Sequence, residues 1–238
     1  MKNSIIAILC CAMCAAAFSQ EKLSYEERVA KAGGEVVKPG TFTGKVSIIN
    51  QQSRLTAADC EAIAAIFAKE TKCNIVADAG ENATIKLYLI DNAKEPVMLV
   101  APEDHWGKLN LARIVDDLPG ERAKEKFFTS RARKMIIKTL SLLMGGGSSQ
   151  FPGNIMNAAT MKQLDQCEEL IPVDMVENYT IYLKAVGVKP AEMTTYRKAC
   201  REGWAPTPTN DVQKAIWNDI RQLPSKPIKI EFDPKRGK

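Results

Sequence analysis

Residues 121–147 read ERAKEKFFTSRARKMIIKTLSLLMGGG, the longest periodic segment in the chain. Its apolar residues recur at the spacing that places them on one face of a helix: Phe128, Ala132, Ile136, Leu140 and Leu143. Three successive glycines close the segment, and glycine just past a periodic stretch is typical of a helix C-terminus. The pattern predicts a long helix from about Glu121 to Met144 that ends in a glycine bend.

The same segment is unusually rich in lysine and arginine. Arg131, Lys134 and Lys138 are spaced i, i+3 and i+7, so they share one face of the predicted helix. Such a stripe is most often a solvated surface. The more specific interpretation is a face that binds an anion, and both interpretations remain open at this point.

The residues before the long helix form shorter segments. Alternating patterns predict strands at 41–50 and 83–90, a β-branched run predicts a short strand at 73–79, and 96–101 and 109–114 are two further strand candidates. Between the first two strands, Thr56 is a good N-cap for a helix. The apolar residues of that helix are Cys60, Ile63, Ile66 and Phe67. This order of strand, helix, several strands and a long helix predicts an α+β fold.

Both ends of the chain are less regular. Residues 20–40 are charged and helix-prone but broken by glycine and proline, which predicts an N-terminal arm or a peripheral helix. Residues 171–238 predict a C-terminal helical extension. It is expected to hold helices near 172–186 and 211–222 and a final strand at 228–232.

The first residues have the three parts of a secretory signal peptide. Lys2 supplies the positive charge, residues 5–17 are apolar and uncharged, and Ala17-Phe18-Ser19 is a small-x-small site. We therefore expect residues 1–19 to be cleaved off and the mature chain to be exported, to the periplasm or the extracellular medium. The apolar run is shorter than the roughly 20 residues that span a bilayer. Charges interrupt every later apolar stretch, so no transmembrane segment is expected in the mature chain.

The composition indicates an ordinary, mildly basic protein. The chain carries 33 Lys and Arg against 28 Asp and Glu, a net charge of +5. An excess of this size does not indicate nucleic acid, and no nucleic-acid partner is expected. The chain is long enough to bury one sizeable core.

The chain has seven cysteines, three of which lie in the predicted signal peptide and would be removed with it. The other four, Cys60, Cys73, Cys167 and Cys200, allow three full pairings. The predicted helix after Cys60 would hold Cys60 and Cys73 roughly 15 Å apart, too far for a disulfide. Cys167 with Cys200 is the more plausible bond, and four buried free thiols are the alternative. No pair has the C-x-x-C spacing of a redox or structural zinc site.

His105 is the only histidine of the chain, and it lies beside Trp106 in a loop between two predicted strands. A catalytic triad or a multi-histidine zinc site would have to be built around this single imidazole. The loop carboxylate pairs Glu103-Asp104 and Asp116-Asp117 are the other candidates for hydrolytic chemistry. An exposed loop histidine and solvated carboxylates are the simpler interpretations.

Three features, in order, carry a resemblance to a known family. Gly107-Lys108-Leu109-Asn110-Leu111-Ala112-Arg113-Ile114 has the pattern of an edge strand, the long helix ends in glycine, and Asn154-Ile155-Met156-Asn157 is similar to a Met-turn. The region 41–170 thus resembles a metzincin-type zinc peptidase, and the archaemetzincin-like proteins in particular. The resemblance implies a zincin-like mixed β-sheet with a long central helix, and it places Met156 in the Met-turn.

In a catalytically active metzincin, the helix carries the zinc-binding motif H-E-x-x-H-x-x-G-x-x-H. With the glycine of the motif laid on Gly145, its three histidines and its Glu fall on Lys138, Leu142, Ser148 and Thr139. Moving the frame to Gly146 supplies no histidine and no Glu either. The resemblance therefore implies a degenerate member that keeps the scaffold, has lost the metal and uses no cofactor.

These observations predict an exported, non-catalytic zincin-like protein that binds a peptide, a glycan or an anionic ligand in a vestigial cleft. The candidate ligand-binding residues are Arg131, Lys134, Lys138, Ser148, His105 and Trp106. A hydrolase of another class, using His105 or the loop carboxylates, is one alternative. A structural or interaction protein of the cell envelope is the other.

Overall fold

The computed structural model describes residues 23–77, 80 and 82–221 of the 238-residue chain. The predicted signal segment and the predicted strand at 228–232 lie outside the described residues. Contacts divide the chain into two compact units: a larger unit, Pro39–Glu192, and a smaller unit formed by the residues on either side of it. No helix in the described ranges is long and apolar enough to cross a membrane.

The strands and helices are numbered in chain order. The strands are β1 (Glu35–Val37), β2 (Val46–Asn50), β3 (Ile75–Ala77), β4 (Ile85–Ile90), β5 (Met98–Ala101), β6 (Trp106–Asn110) and β7 (Met193–Thr195). The α-helices are α1 (Tyr25–Lys31), α2 (Ala57–Thr71), α3 (Glu121–Leu143), α4 (Met161–Gln166), α5 (Val176–Ala185), α6 (Tyr196–Arg201) and α7 (Asp211–Arg221). Short 3-10 turns lie at Leu111–Arg113, Ile155–Asn157 and Val173–Met175.

The larger unit is built on a mixed five-stranded sheet in the order β3-β2-β4-β6-β5. β2, β3, β4 and β6 run parallel to one another, and β5 is paired antiparallel with β6. The predicted α+β class, with a mixed sheet and a long helix that ends at glycine, is confirmed. The architecture is consistent with a zincin-like fold.

The edge strand differs from the prediction. The sequence pattern predicts an edge strand over 107–114, but β6 is an inner strand between β4 and β5, and β5 is at the edge. β6 also ends early because the Asn110 side chain bonds to nearby backbone. Its Oδ1 accepts from the Ala112 amide at 3.2 Å, and its Nδ2 donates to the Glu95 carbonyl at 2.9 Å. These bonds start a 3-10 turn where the strand was expected to continue.

One face of the sheet is covered by α2 and α3. The buried residues of β4 alternate and point toward these helices: Ile85, Leu87 and Leu89. Lys86 and Tyr88 alternate with them and therefore lie on the opposite side, called the second face of the sheet below. α3 approaches β6 closely at Gly107, where an added Cβ would lie 3.0 Å from Leu143 Cδ1. The core of the larger unit thus lies between the sheet and these two helices.

The predicted cap of α2 is confirmed. Thr56 Oγ1 accepts a hydrogen bond from the Asp59 amide at 3.2 Å, and the helix begins at the next residue. The buried residues of α2 are Cys60, Ile63, Ala64, Phe67 and Thr71. Ile66, which was predicted on this face, is 37% exposed because the buried stripe passes through Ala64.

The glycine bend at the end of α3 is a Schellman motif. Gly145 has a φ of 80°, and its amide donates to the Leu142 carbonyl at 3.2 Å. The Gly146 amide donates to the Ser141 carbonyl at 2.7 Å. These two bonds satisfy carbonyl groups that the helix itself leaves unpaired. The predicted helix end at a glycine bend is confirmed.

Replacing Gly146 by alanine should lower the free energy of unfolding by ~1–3 kcal/mol. A Cβ on Gly146 would lie 2.6 Å from the Ser141 carbonyl oxygen, which is a backbone atom of the helix, so the bend would have to open. Gly147→Ala is the control, because a Cβ there meets nothing within 4 Å. Urea unfolding followed by circular dichroism measures both variants. Equal stability of the two would contradict this account of the bend.

The four cysteines of the described residues, Cys60, Cys73, Cys167 and Cys200, are all free thiols. The expected disulfide between Cys167 and Cys200 is therefore not formed. Cys200 is half-buried and the other three are buried, so the alternative of free thiols describes the chain better. The Cys167 thiol donates to the Gln163 carbonyl at 3.3 Å. Burial raises the pKa of the Cys60 thiol to about 11, which keeps it protonated at neutral pH.

The smaller unit brings together two segments that are far apart in the sequence. β1 pairs antiparallel with β7, and α6 and α7 pack together beside this pair. Its core contains Val36, Tyr196, Ala199 and Ile216. α1 begins with a capping box in which the Ser24 hydroxyl accepts from the Glu27 amide and the Glu27 carboxylate accepts from the Ser24 amide.

Candidate functional site

The basic stripe on α3 points toward the segment that contains α4. Arg131 is only 1% exposed, and its guanidinium forms ion pairs with Asp117 at 2.5 Å and Asp165 at 2.7 Å. It also donates to the Ile114 carbonyl at 2.8 Å. The hydrogen bond from Arg131 holds the pKa of Asp117 below its usual value. We call this group the Arg131 clamp, because it joins α3 to α4 and to the loop before α3.

Lys134 is also occupied by protein groups. It is 7% exposed, and its Nζ donates to the carbonyls of Leu164 at 3.1 Å and Asp165 at 3.3 Å. Both carbonyls are in the last turn of α4, where a helix leaves carbonyl groups unpaired and carries partial negative charge. The three basic residues do share one face, but the charges of Arg131 and Lys134 stabilise the protein and are not available to a ligand.

Lys138, the third residue of the stripe, lines a cavity of about 320 Å³. The cavity lies between β5, α3 and residues 158–164. Its other walls are mainly apolar and include Val97, Met98, Met135, Ala158, Met161 and Leu164. We call this cavity the Lys138 cleft.

The ammonium group of Lys138 is only partly satisfied. Its Nζ donates to the Ala158 carbonyl at 2.5 Å and has no other partner among the described residues. An ammonium has three N–H donors, so two remain available. Burial lowers the pKa of Lys138, because desolvation disfavours the charged form. An acidic group bound in the cleft would favour the charged form again.

The predicted Met-turn-like segment precedes the cleft wall in the chain, and neither Met156 nor Ser148 lines the cleft. Met156 is buried in the 3-10 turn Ile155–Asn157, and its amide donates to Asn154 Oδ1 at 3.0 Å. This turn packs against α3 and leads directly into Ala158. Ser148 is exposed in the loop after the glycine bend and does not line the cleft.

His105 and Trp106 lie on the other side of the sheet. They belong to the turn and strand after β5 and line a second cavity of about 410 Å³, called the His105 pocket below. His105 has a φ of 60°, and its Nδ1 is 3.0 Å from the Pro102 carbonyl oxygen and 3.3 Å from the Tyr182 hydroxyl. Trp106 is on the second face of the sheet, because its neighbour Gly107 faces α3. The predicted ligand-binding residues therefore do not form one site, because Lys138 lines the cleft while His105 and Trp106 line a separate pocket.

A third cavity, of about 510 Å³, lies at the C-terminal ends of the parallel strands β2 and β4. Many α/β folds bind ligands at this edge of the sheet. Here the carboxylates are already paired, Asp91 with Arg54 at 2.9 Å and Glu95 with Lys108 at 2.9 Å. The cavity therefore offers a ligand no unpaired charge from these residues.

The residues present do not fit a zinc site. The positions that the resemblance lays on the three histidines of the motif hold Lys138, Leu142 and Ser148, none of which supplies an imidazole, thiolate or carboxylate. Within the described ranges, no three His, Cys, Asp or Glu side chains come together where they could hold a metal ion. No reaction step through a metal follows from this donor set.

Sequence reasoning missed most of the residues that line the two cavities. Met98 and Met161 form apolar walls of the Lys138 cleft, and they come from separate elements that only the fold brings together. Lys86 and Tyr88 line the His105 pocket. The alternation in β4 already placed these two side chains opposite the buried residues, and that signal could have identified them.

Comparisons with known proteins give weak structural similarities. No family model and no curated protein matches the chain. An archaemetzincin from Methanopyrus kandleri is similar at 12% identity and a TM-score of 0.45, over 63% of this chain and 99% of that chain. A zinc-dependent peptidase from Methanocorpusculum labreanum (strain Z) is similar at 10% identity and a TM-score of 0.44, over 56% of this chain and 99% of that chain. At these scores the similarity says nothing about what this chain binds or catalyses.

Proposed function

We propose that this chain is an exported, non-catalytic protein that binds a peptide carrying a carboxylate in the Lys138 cleft. The observation that carries the proposal is a half-buried ammonium on the wall of an apolar cavity, with two N–H donors that no described residue accepts. Export rests on the signal-like pattern of residues 1–19.

The chemistry of the cleft favours a carboxylate attached to an apolar stem. A charge in an apolar setting is costly unless it is paired, so a ligand carboxylate would gain from Lys138 and would relieve its desolvation. The methionine and leucine side chains around it would contact the methylene groups of a Glu side chain or the last residue of a peptide. A ligand with both features fits the lining better than a simple inorganic anion.

The position of β5 favours a peptide as the carrier of that carboxylate. β5 contributes Met98 to the cleft and is the last strand on its side of the sheet, so one row of its backbone N–H and C=O groups faces away from β6. An extended peptide can pair with such an edge, and its alternate side chains then enter neighbouring pockets. A peptide paired with β5 would direct one of its side chains toward Lys138.

The side chains around Lys138 support binding without turnover. The Thr139 hydroxyl donates to the Met135 carbonyl at 2.7 Å. The Thr160 hydroxyl accepts from the Gln163 amide at 3.2 Å and caps α4. Both hydroxyls serve the helices, and neither has a general base beside it to activate it.

Paired peptide pools test this proposal. They are acetylated and amidated hexapeptides that are identical except at one fixed position, which is Glu in one pool and Gln in the other. We expect the purified protein to bind the Glu pool ~10-fold or more tightly, because a hydrogen bond to a charged group contributes ~1.5–3 kcal/mol. Fluorescence anisotropy measures affinity, and mass spectrometry of the recovered peptides detects cleavage. Equal affinity for the two pools, or cleavage, would overturn the proposal.

A further inference from the structure

The His105 pocket gathers polar groups that the protein leaves unpaired. Six polar or aromatic side chains line it: Thr84, Lys86, Tyr88, Asp104, His105 and Trp106. Their hydroxyl, ammonium, carboxylate and indole groups, and the Nε2 of the imidazole, have no partner among the described residues. The third cavity differs, because its carboxylates pair with neighbouring cations.

Two adjacent strands form the floor of this pocket. β4 contributes Lys86 and Tyr88, and β6 contributes Trp106, which lies directly opposite Lys86 in the strand register. Neighbouring strands are ~4.8 Å apart. The ammonium and the two aromatic rings are therefore close enough to contact one small ligand together.

His105 is held in a fixed orientation beside this floor. Its Nδ1 donates to the Pro102 carbonyl at 3.0 Å, because a carbonyl oxygen can only accept a hydrogen bond. The Tyr182 hydroxyl donates to the same carbonyl at 2.7 Å. Nε2 has no hydrogen-bond partner among the described residues. The left-handed backbone of His105 is uncommon outside glycine, and strain of this kind is often kept where it positions a functional group.

We propose that the His105 pocket binds a saccharide, at a site separate from the Lys138 cleft. The unpaired groups include both donors and acceptors and both signs of charge, Lys86 and Asp104, which suits a neutral ligand with many hydroxyl groups better than a simple ion. Tyr88 and Trp106 add aromatic surface on which the C–H face of a sugar ring can stack. The volume of about 410 Å³ lies in the range of pockets for small ligands.

Titration of the purified protein with chitotetraose, cellotetraose and maltotetraose tests this site. Saturation-transfer NMR and tryptophan fluorescence detect binding, and at least one of the three sugars should bind. Lys86→Ala and Tyr88→Phe should each weaken that binding by ~3- to 10-fold, the effect of losing one hydrogen bond. His105→Asn should do the same, because it removes Nε2 and keeps a residue that tolerates the left-handed backbone.

Lys108→Ala is the matched control. Lys108 lies on the same face of β6, but it is paired with Glu95 at 2.9 Å and does not line the pocket, so its removal should leave sugar affinity unchanged. The proposal is overturned if none of the sugars binds at ~10 mM. It is also overturned if the pocket variants bind as well as the wild type does, or if acetate or inorganic phosphate binds there and the sugars do not.

Discussion

Replacing Arg131 by alanine should lower the free energy of unfolding by ~3–5 kcal/mol. Arg131 is one of the largest fully buried side chains, so the change would leave a cavity. It would also leave Asp117 and Asp165 without their cation and the Ile114 carbonyl without its donor. Domains are typically stable by ~5–15 kcal/mol, so a loss of this size is a large fraction of the total.

Arg133→Ala is the matched control for the Arg131 clamp. Arg133 lies on the same helix and pairs with Glu169 at 2.6 Å and with Asp59 at 3.8 Å, but its side chain is 30% exposed, so its loss should cost about 1 kcal/mol, less than the loss of Arg131. Arg131→Lys should recover only part of the stability, because an ammonium cannot bond two carboxylates in the planar, forked geometry of a guanidinium. Urea unfolding followed by circular dichroism ranks the three variants. A similar loss for Arg131→Ala and Arg133→Ala would show that the clamp adds little.

The elements that the sequence predicted well are those with a long repeating pattern. The apolar repeat of α3 is long enough to define the helix, and Gly145 and Gly146 directly after it form the bend that ends it. β1 was not predicted, because it has three residues and its partner β7 lies near the other end of the chain. The end of β6 was placed too late, since it depends on bonds from Asn110 to a loop that precedes the strand.

The candidate site was predictable only in part, because it too depends on contacts between elements that are separate in the sequence. Helical spacing alone placed Arg131, Lys134 and Lys138 on one face. Which of these charges stays available depends on groups outside the helix. Asp117 and Asp165 pair with Arg131, and the carbonyls of α4 accept from Lys134. Spacing within one helix therefore reveals where a charge points, and only the packing of other elements reveals whether that charge is already neutralised.

Replacing Lys138 by glutamate should abolish binding of the Glu-containing peptides, a loss of ~100-fold or more. The change removes the charge-assisted hydrogen bond, worth ~1.5–3 kcal/mol, and places a like charge where the ligand carboxylate would lie. Repulsion is strong there because a half-buried charge is weakly screened by salt. Lys138→Met keeps an unbranched side chain of similar length but removes the charge and the N–H donors, including the bond to the Ala158 carbonyl, so its expected loss is ~10- to 100-fold. Fluorescence anisotropy measures both variants.

A control variant, Lys162→Met, and the comparison of Glu with Gln peptides together separate the charge of Lys138 from its structural role. Lys162→Met is the control for nearby charge, because Lys162 is exposed on α4 and does not line the cleft. Loss of the bond to the Ala158 carbonyl would shift the cleft wall and weaken binding of Glu and Gln peptides alike. Loss of the charge removes only the preference for Glu. Lys138→Met should therefore bind the two pools equally, and a variant that still prefers Glu would place the carboxylate site elsewhere.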